Sequence, residues 1–277
     1  SGLSLEVEGI TVVCPGFRFR PLYLLGIKKI NLSRFYSFDM LCPMPSVPDS
    51  TTLTQFRPRR QGPEALIQDI VAGQIPELFC LSPHSWTAAS VPLGAGIPDL
   101  VVVSYYPEVF ALASVELPDA QILAYLRAVG KARLETIAER MGTSPKKLSC
   151  RLSSLVDAEA IETSSNTFSL SPLWRQILPE IITIEVKVSN WQRAIEQAAR
   201  NRIFAHLSFV ALPEKVAQRV RTEPLLGDLG IGLISVSEDA IATVIRKPRR
   251  RSPTVWTYYY RLASFLLGAA RTNALCR

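Results

Sequence analysis

A block of helical periodicity over residues 117–173 interrupts a chain whose other parts alternate strand-like and helix-like runs, and it constrains the fold more than any other feature. Within the block, Asp119 can cap a helix over 120–129 that Gly130 stops. A second helix is predicted over 134–141, ending at Gly142. A third begins at Thr143-Ser144-Pro145 and carries Leu148, Leu152, Leu155 and Val156 at helical spacing. Residues 160–163 and 167–170 read as short strands joined around Ser164-Ser165-Asn166. Because the ends of small domains often lie close together, such a unit can be seated inside another domain rather than after it.

The flanks have a different texture. Pro63 opens a predicted amphipathic helix over 63–73, with Leu66, Ile67, Ile70 and Val71 on one stripe, and 77–81 reads as a strand. Residues 97–103, after the Gly94-Ala95-Gly96 turn, form a β-branched run expected to be buried on both faces, with Pro98 at its start. Beyond Pro179 the pattern predicts a strand over 181–188, a helix over 191–203 and a strand over 205–212. A helix from Pro213 to Val220 and strands over 230–236 and 240–245 follow. This alternation implies an α/β mixed sheet flanked by helices. Four regions follow: an N-terminal extension (1–60) with a strand-like stretch at 5–13 and a proline-punctuated linker over 42–60, a first core segment (61–116), the insert (117–173) and a second core segment (174–277).

Composition narrows the chemistry. Of 277 residues, 48% are hydrophobic and 20% charged, which excludes a disordered or fibrous chain. Lys plus Arg number 31 against 24 Asp plus Glu, a surplus of +7 that suits phosphate-rich partners. Cys14, Cys42, Cys80, Cys150 and Cys276 are too scattered for a zinc site or disulfide framework. The apolar stretch 255–270 is broken by Arg261 and shorter than a membrane span, so it reads as a buried terminal helix, and its Trp256, Tyr258, Tyr259 and Tyr260 as core residues. With no basic-apolar signal pattern at the start, a cytoplasmic protein without a membrane partner is expected. There is no P-loop or dinucleotide glycine pattern, and His84 and His206 read as ordinary hydrogen-bonded histidines.

The residues with chemistry to offer are Asp99 and the triplet Glu185-Val186-Lys187. Positions i and i+2 of a strand face one way, so Glu185 and Lys187 project together while Val186 points to the core. If the Asp99 strand pairs with this one, two carboxylates can hold Mg²⁺, with Mn²⁺ as a substitute. Lys187 would then orient water or offset phosphate charge, an arrangement suited to phosphodiester hydrolysis. Taken alone, the triplet reads as an ordinary polar pair at a strand end.

In context, Pro98-Asp99 after a glycine-rich turn, and Glu185-Val186-Lys187 followed by a long helix and a strand ending in Val210-Ala211-Leu212-Pro213, resemble the PD-(D/E)XK nuclease superfamily. The resemblance covers roughly residues 63–115 and 175–250, and implies a restriction-endonuclease-like fold and a metal-dependent DNA endonuclease. On that reading Asp99 and Glu185 bind the metal and Lys187 assists the attacking water. Glu64 stands where some relatives place a further acidic ligand. Gln197 corresponds to a helix glutamine that many relatives follow, four residues later, with tyrosine; here that position is Asn201.

Three helices and a hairpin are the order of a winged helix-turn-helix, whose third helix would present Lys146, Lys147 and Arg151 to double-stranded DNA. The densest basic run, Arg246, Lys247, Arg249, Arg250 and Arg251, reads as a loop that grips phosphates. Smaller clusters are Arg57, Arg59 and Arg60, and Arg193, Arg200 and Arg202. Two alternatives stay open: a nuclease fold that binds DNA or assembles without cutting, and a winged helix that docks a protein partner or a second copy.

Overall fold

The β-branched runs around Val101 and Ile182 end up side by side at the centre of a seven-stranded sheet, where both of their faces are covered. The computed structural model describes residues 6–7, 10–11, 53–58, 61–94 and 96–275. Two compact units are distinguished, Ser1–Cys42 and Pro43–Arg277. In the first, β1 (Glu6–Val7) and β2 (Ile10–Thr11) form an antiparallel pair within the stretch expected as one strand.

The second unit opens with β3 (Leu53–Gln55), α1 (Pro63–Gly73), α2 (Ile75–Leu78), β4 (Ser85–Ala89) and β5 (Leu100–Ser104). After the intervening block come β9 (Glu180–Val186), α6 (Trp191–Asn201), β10 (Leu207–Pro213), α7 (Glu214–Val220), α8 (Pro224–Leu229), β11 (Gly232–Val236), β12 (Ala242–Arg246) and α9 (Trp256–Leu275). The sheet order is β12-β11-β10-β9-β5-β4-β3. β9, β10 and β11 run parallel, as do β3 and β4, whereas β12, and β5 against both neighbours, are antiparallel.

Strand alternation sorts the core into two faces. Leu100, Val102, Ile182, Ile184 and Val186 pack with Ile67 and Val71 of α1 on one side. On the other, Val101 and Val103 meet α9, and Val210 and Leu212 meet Ala194, Ile195 and Ala198 of α6.

Several segments depart from the sequence reading. The expected strand over 77–81 begins as the end of α2: Pro76 sits in a first helical turn, where its missing N–H costs nothing, and so short an apolar run carries no usable period. Part of the expected linker is instead an edge strand, β3, parallel to β4 and tied to it where Trp86 Nε1 donates to Thr54 Oγ1 at 2.9 Å. β4 itself, Ser-Trp-Thr-Ala-Ala, is buried along its whole length, yet Ser85 and Thr87 deprive it of the apolar run that marks a buried strand in sequence.

The block consists of α3 (Leu117–Val129), β6 (Lys131–Arg133), α4 (Leu134–Met141), α5 (Pro145–Asp157), β7 (Ile161–Ser164) and β8 (Thr167–Leu170). The expected hairpin gains a third strand, in the order β6-β8-β7. α3 packs along α9, and one apolar core runs from Leu148, Leu152 and Ile137 through Leu126 and Trp174 to Tyr259 and Val103. The Arg127 guanidinium lies over the Trp256 ring at 3.4 Å, while the Tyr260 hydroxyl donates to the Trp174 carbonyl at 2.9 Å. Tyr259 and Tyr260 are thus core residues with satisfied hydroxyls, and none of the helices among the described residues is long and apolar enough to cross a membrane.

Candidate functional site

Antiparallel pairing of β5 with β9 places Leu100 opposite Ile184, so the residue before β5 and the residue after Ile184 come to the same sheet end. Those residues are Asp99 and Glu185. The Val186 N–H donates to Asp99 Oδ2 at 2.8 Å and fixes that carboxylate beside the β9 backbone. Gln68 of α1 reaches the Asp99 carbonyl with its Nε2 at 3.2 Å, locking the approach to β5 from the helix side.

Glu185 lies on the α6 face of β9 and is only 1% exposed. Asn201, at the end of α6, donates to its Oε1 at 2.6 Å, and Oε2 has no hydrogen-bond partner among the described residues. Burial, reinforced by the neighbouring Asp99 charge, pushes this carboxyl up to about 8; the Asn201 hydrogen bond and the Lys187 charge act the other way. Lys187 follows the last residue of β9 and extends the ladder, its N–H donating to the Ala211 carbonyl at 3.2 Å. The ammonium donates to the Val186 carbonyl at 2.7 Å and stands 3.4 Å from Glu64 Oε2 and 3.7 Å from Asp99 Oδ2. Glu64, in the first turn of α1, therefore joins the group by way of Lys187.

Asp99, Lys187, Glu64 and Gln68 border an open cleft of about 1010 Å³, whose wall also includes Arg57, Arg193 and Gln197. Gln197 Oε1 is buried and lacks a partner among the described residues. A hard divalent cation fits the two carboxylates: they supply oxygen donors, one oxygen of Glu185 is unclaimed, and a positive ion would offset both the burial and the Asp99 charge that disfavour an ionised Glu185. No group of three or more His, Cys, Asp or Glu suited to a metal occurs among the described residues, so waters or a phosphate would complete the shell.

The other singled-out cations scatter. Lys146 and Lys147 are exposed at the start of α5, which Ser144 caps. Arg151 turns inward instead, bridging Glu116 at 2.7 Å and Asp119 at 3.1 Å. In the basic run, Arg246 donates to the Arg221 carbonyl at 2.9 Å and Arg250 engages Glu180 and the Pro179 carbonyl. Lys247, Arg249 and Arg251 keep exposed side chains. Arg59 and Arg60 lie outside the described residues. His206 accepts the Ile181 N–H on Nδ1 at 3.1 Å, and burial, aided by Arg250 and Arg127, pushes it down to about 4, so it is neutral at pH 7.

Sequence reasoning missed Asn201 as the partner of the Glu185 carboxylate and Gln68 as the partner of the Asp99 backbone carbonyl. Asn201 had a signal: it lies four residues after Gln197 and so on the same helix face. Comparison with protein families, with curated proteins and with solved structures finds no match to this chain.

Proposed function

We propose that this chain is a metal-dependent DNA endonuclease of the PD-(D/E)XK kind, its sheet a restriction-endonuclease-like core and residues 117–173 a winged helix-turn-helix that positions the duplex. The observation that carries the reading is the meeting of Asp99 and Lys187 on an open cleft at the sheet end where Glu185 is buried with its Oε2 unclaimed.

Asp99 and Glu185 would hold Mg²⁺, which when bound lowers the pKa of a coordinated water and offsets charge on the phosphate. Every other part of the chemistry falls to side chains of this chain. Asn201 holds Glu185 by its Oε1 and leaves Oε2 free, while the Val186 N–H keeps Asp99 from turning away. Lys187 presents an ammonium to the same space, where it orients water by donation and stabilises negative charge developing on phosphate oxygens. Its bond to the Val186 carbonyl restrains the long side chain before substrate arrives.

A second reading, a nuclease fold that binds DNA without cutting it, draws on the engagement of Lys187 with Glu64 and Asp99. Incubation of supercoiled plasmid with the purified protein in Mg²⁺ separates the two. The endonuclease reading expects nicked and linear product from the wild type, loss in EDTA, and loss in Asp99→Asn and Lys187→Met variants that still melt cooperatively. Intact plasmid with wild-type protein in both Mg²⁺ and Mn²⁺ contradicts it.

A further inference from the structure

Two arginines in the cleft wall have no assigned work. Arg57 follows β3, on the far side of β4 from Asp99; Arg193 lies in the first turn of α6, which packs on β9 and β10. Along the sheet order Arg57 therefore stands beyond β4 from the β5–β9 pair that carries Asp99 and Glu185, Arg193 stands on the helix laid over β9 and β10, and both border the same cleft. Both are exposed, and among the described residues neither guanidinium has a hydrogen-bond or ion-pair partner. That separates them from Arg151, Arg246 and Arg250, whose donors are committed to carboxylates or carbonyls of the chain. The same wall offers the neutral amides and hydroxyls of Gln55, Ser189 and Asn190, groups that donate to phosphate oxygens.

We propose that Arg57 and Arg193 grip two phosphates of one nucleic-acid strand, one on each side of the Asp99–Glu185 pair, so that the cleft selects its substrate by backbone charge. This rests on the endonuclease reading for the identity of the polyanion. Guanidinium groups suit the task because their planar fork matches phosphate oxygens and stays charged at any working pH. Spanning the carboxylates from both sides would also hold the phosphate between the two grips over the metal-binding oxygens. A mononucleotide, with a single phosphate to offer, would engage only one of the two.

The test is fluorescence anisotropy with a 5′-fluorescein 20-base-pair DNA duplex in Ca²⁺, across a salt series, on wild type, Arg57→Ala, Arg193→Ala, the double variant and an Arg219→Ala control. Each cleft substitution is expected to lower the magnitude of the log Kd against log salt slope by about 1, the double variant by about 2, and the control not at all. Arg57→Lys and Arg193→Lys should restore the slope. Unchanged slopes in the cleft variants, or no duplex binding by the wild type, overturn the proposal. Reduced slopes in a protein that cuts no DNA in Mg²⁺ would leave the grip standing while removing the endonuclease reading; cutting with unaltered slopes would do the reverse.

Discussion

Replacing Glu185 by Gln should stabilise the metal-free protein at alkaline pH, an unusual outcome for a change at a residue only 1% exposed. The unfolded carboxyl gives up its proton near 4.5 and the folded one near 8, so within that window the folded state holds the extra proton. Stability is therefore full below the lower value and falls as pH rises through the window. The complete shift corresponds to about 5 kcal/mol, but Asp99 can share the proton, which leaves about 2–3 kcal/mol as the expected penalty near pH 9. An amide keeps the shape, still accepts from Asn201, and can donate to Asp99 where Oε2 had no partner. At about 2–4 °C per kcal/mol for a chain of this size, Glu185→Gln in EDTA should melt roughly 5–10 °C above wild type at pH 9 and close to it at pH 4.5. Thermal denaturation at the two pH values reads this directly. A variant that melts below wild type at pH 9, or by the same margin at both pH values, refutes the electrostatic account of the pair.

Three further outcomes follow from named contacts. Asn201→Ala removes the 2.6 Å bond to Glu185 in a buried setting and should cost about 1–3 kcal/mol by urea denaturation, while weakening Mn²⁺ binding in calorimetric titration. Arg151→Ala should lower stability by up to about 1 kcal/mol, since the bridge to Glu116 and Asp119 is partly solvated, and leave the salt slope of duplex binding at its wild-type value. Tyr259→Phe deletes a hydroxyl that donates to the Leu178 carbonyl at 3.0 Å and accepts its N–H at 2.8 Å, and should cost about 1–3 kcal/mol in the same denaturation assay.

Much of the sheet was readable because strong local signals coincided with it. Pro63 and the apolar stripe mark α1, and the β-branched run before Glu185 marks β9, since strands covered on both faces need no alternation. The same burial hid β4, whose Ser85 and Thr87 are buried polar residues that resemble a loop in sequence. β6 was hidden by brevity: Lys131, Ala132 and Arg133 read as a link between helices until β8 pairs with them. At the candidate site, strand parity predicts one direction for Glu185 and Lys187, but it does not supply the reach of the Lys187 ammonium to Glu64 of α1 and to Asp99. Arg151 shows the larger difficulty. A cation on a helix looks free in sequence, and the carboxylates that claim it lie 32 and 35 positions earlier. Long-range pairing of this kind depends on the fold being formed, so local pattern cannot supply it.

The endonuclease reading of the cleft depends on whether Asp99 and Glu185 share a divalent cation. Anomalous diffraction from crystals soaked in Mn²⁺ at pH 8 asks this without relying on turnover. The account predicts one peak about 2.0–2.2 Å from a carboxylate oxygen of Asp99 and from Oε2 of Glu185, with Asn201 still on Oε1. Millimolar Mn²⁺ bound elsewhere, with no peak between these two carboxylates, would contradict it.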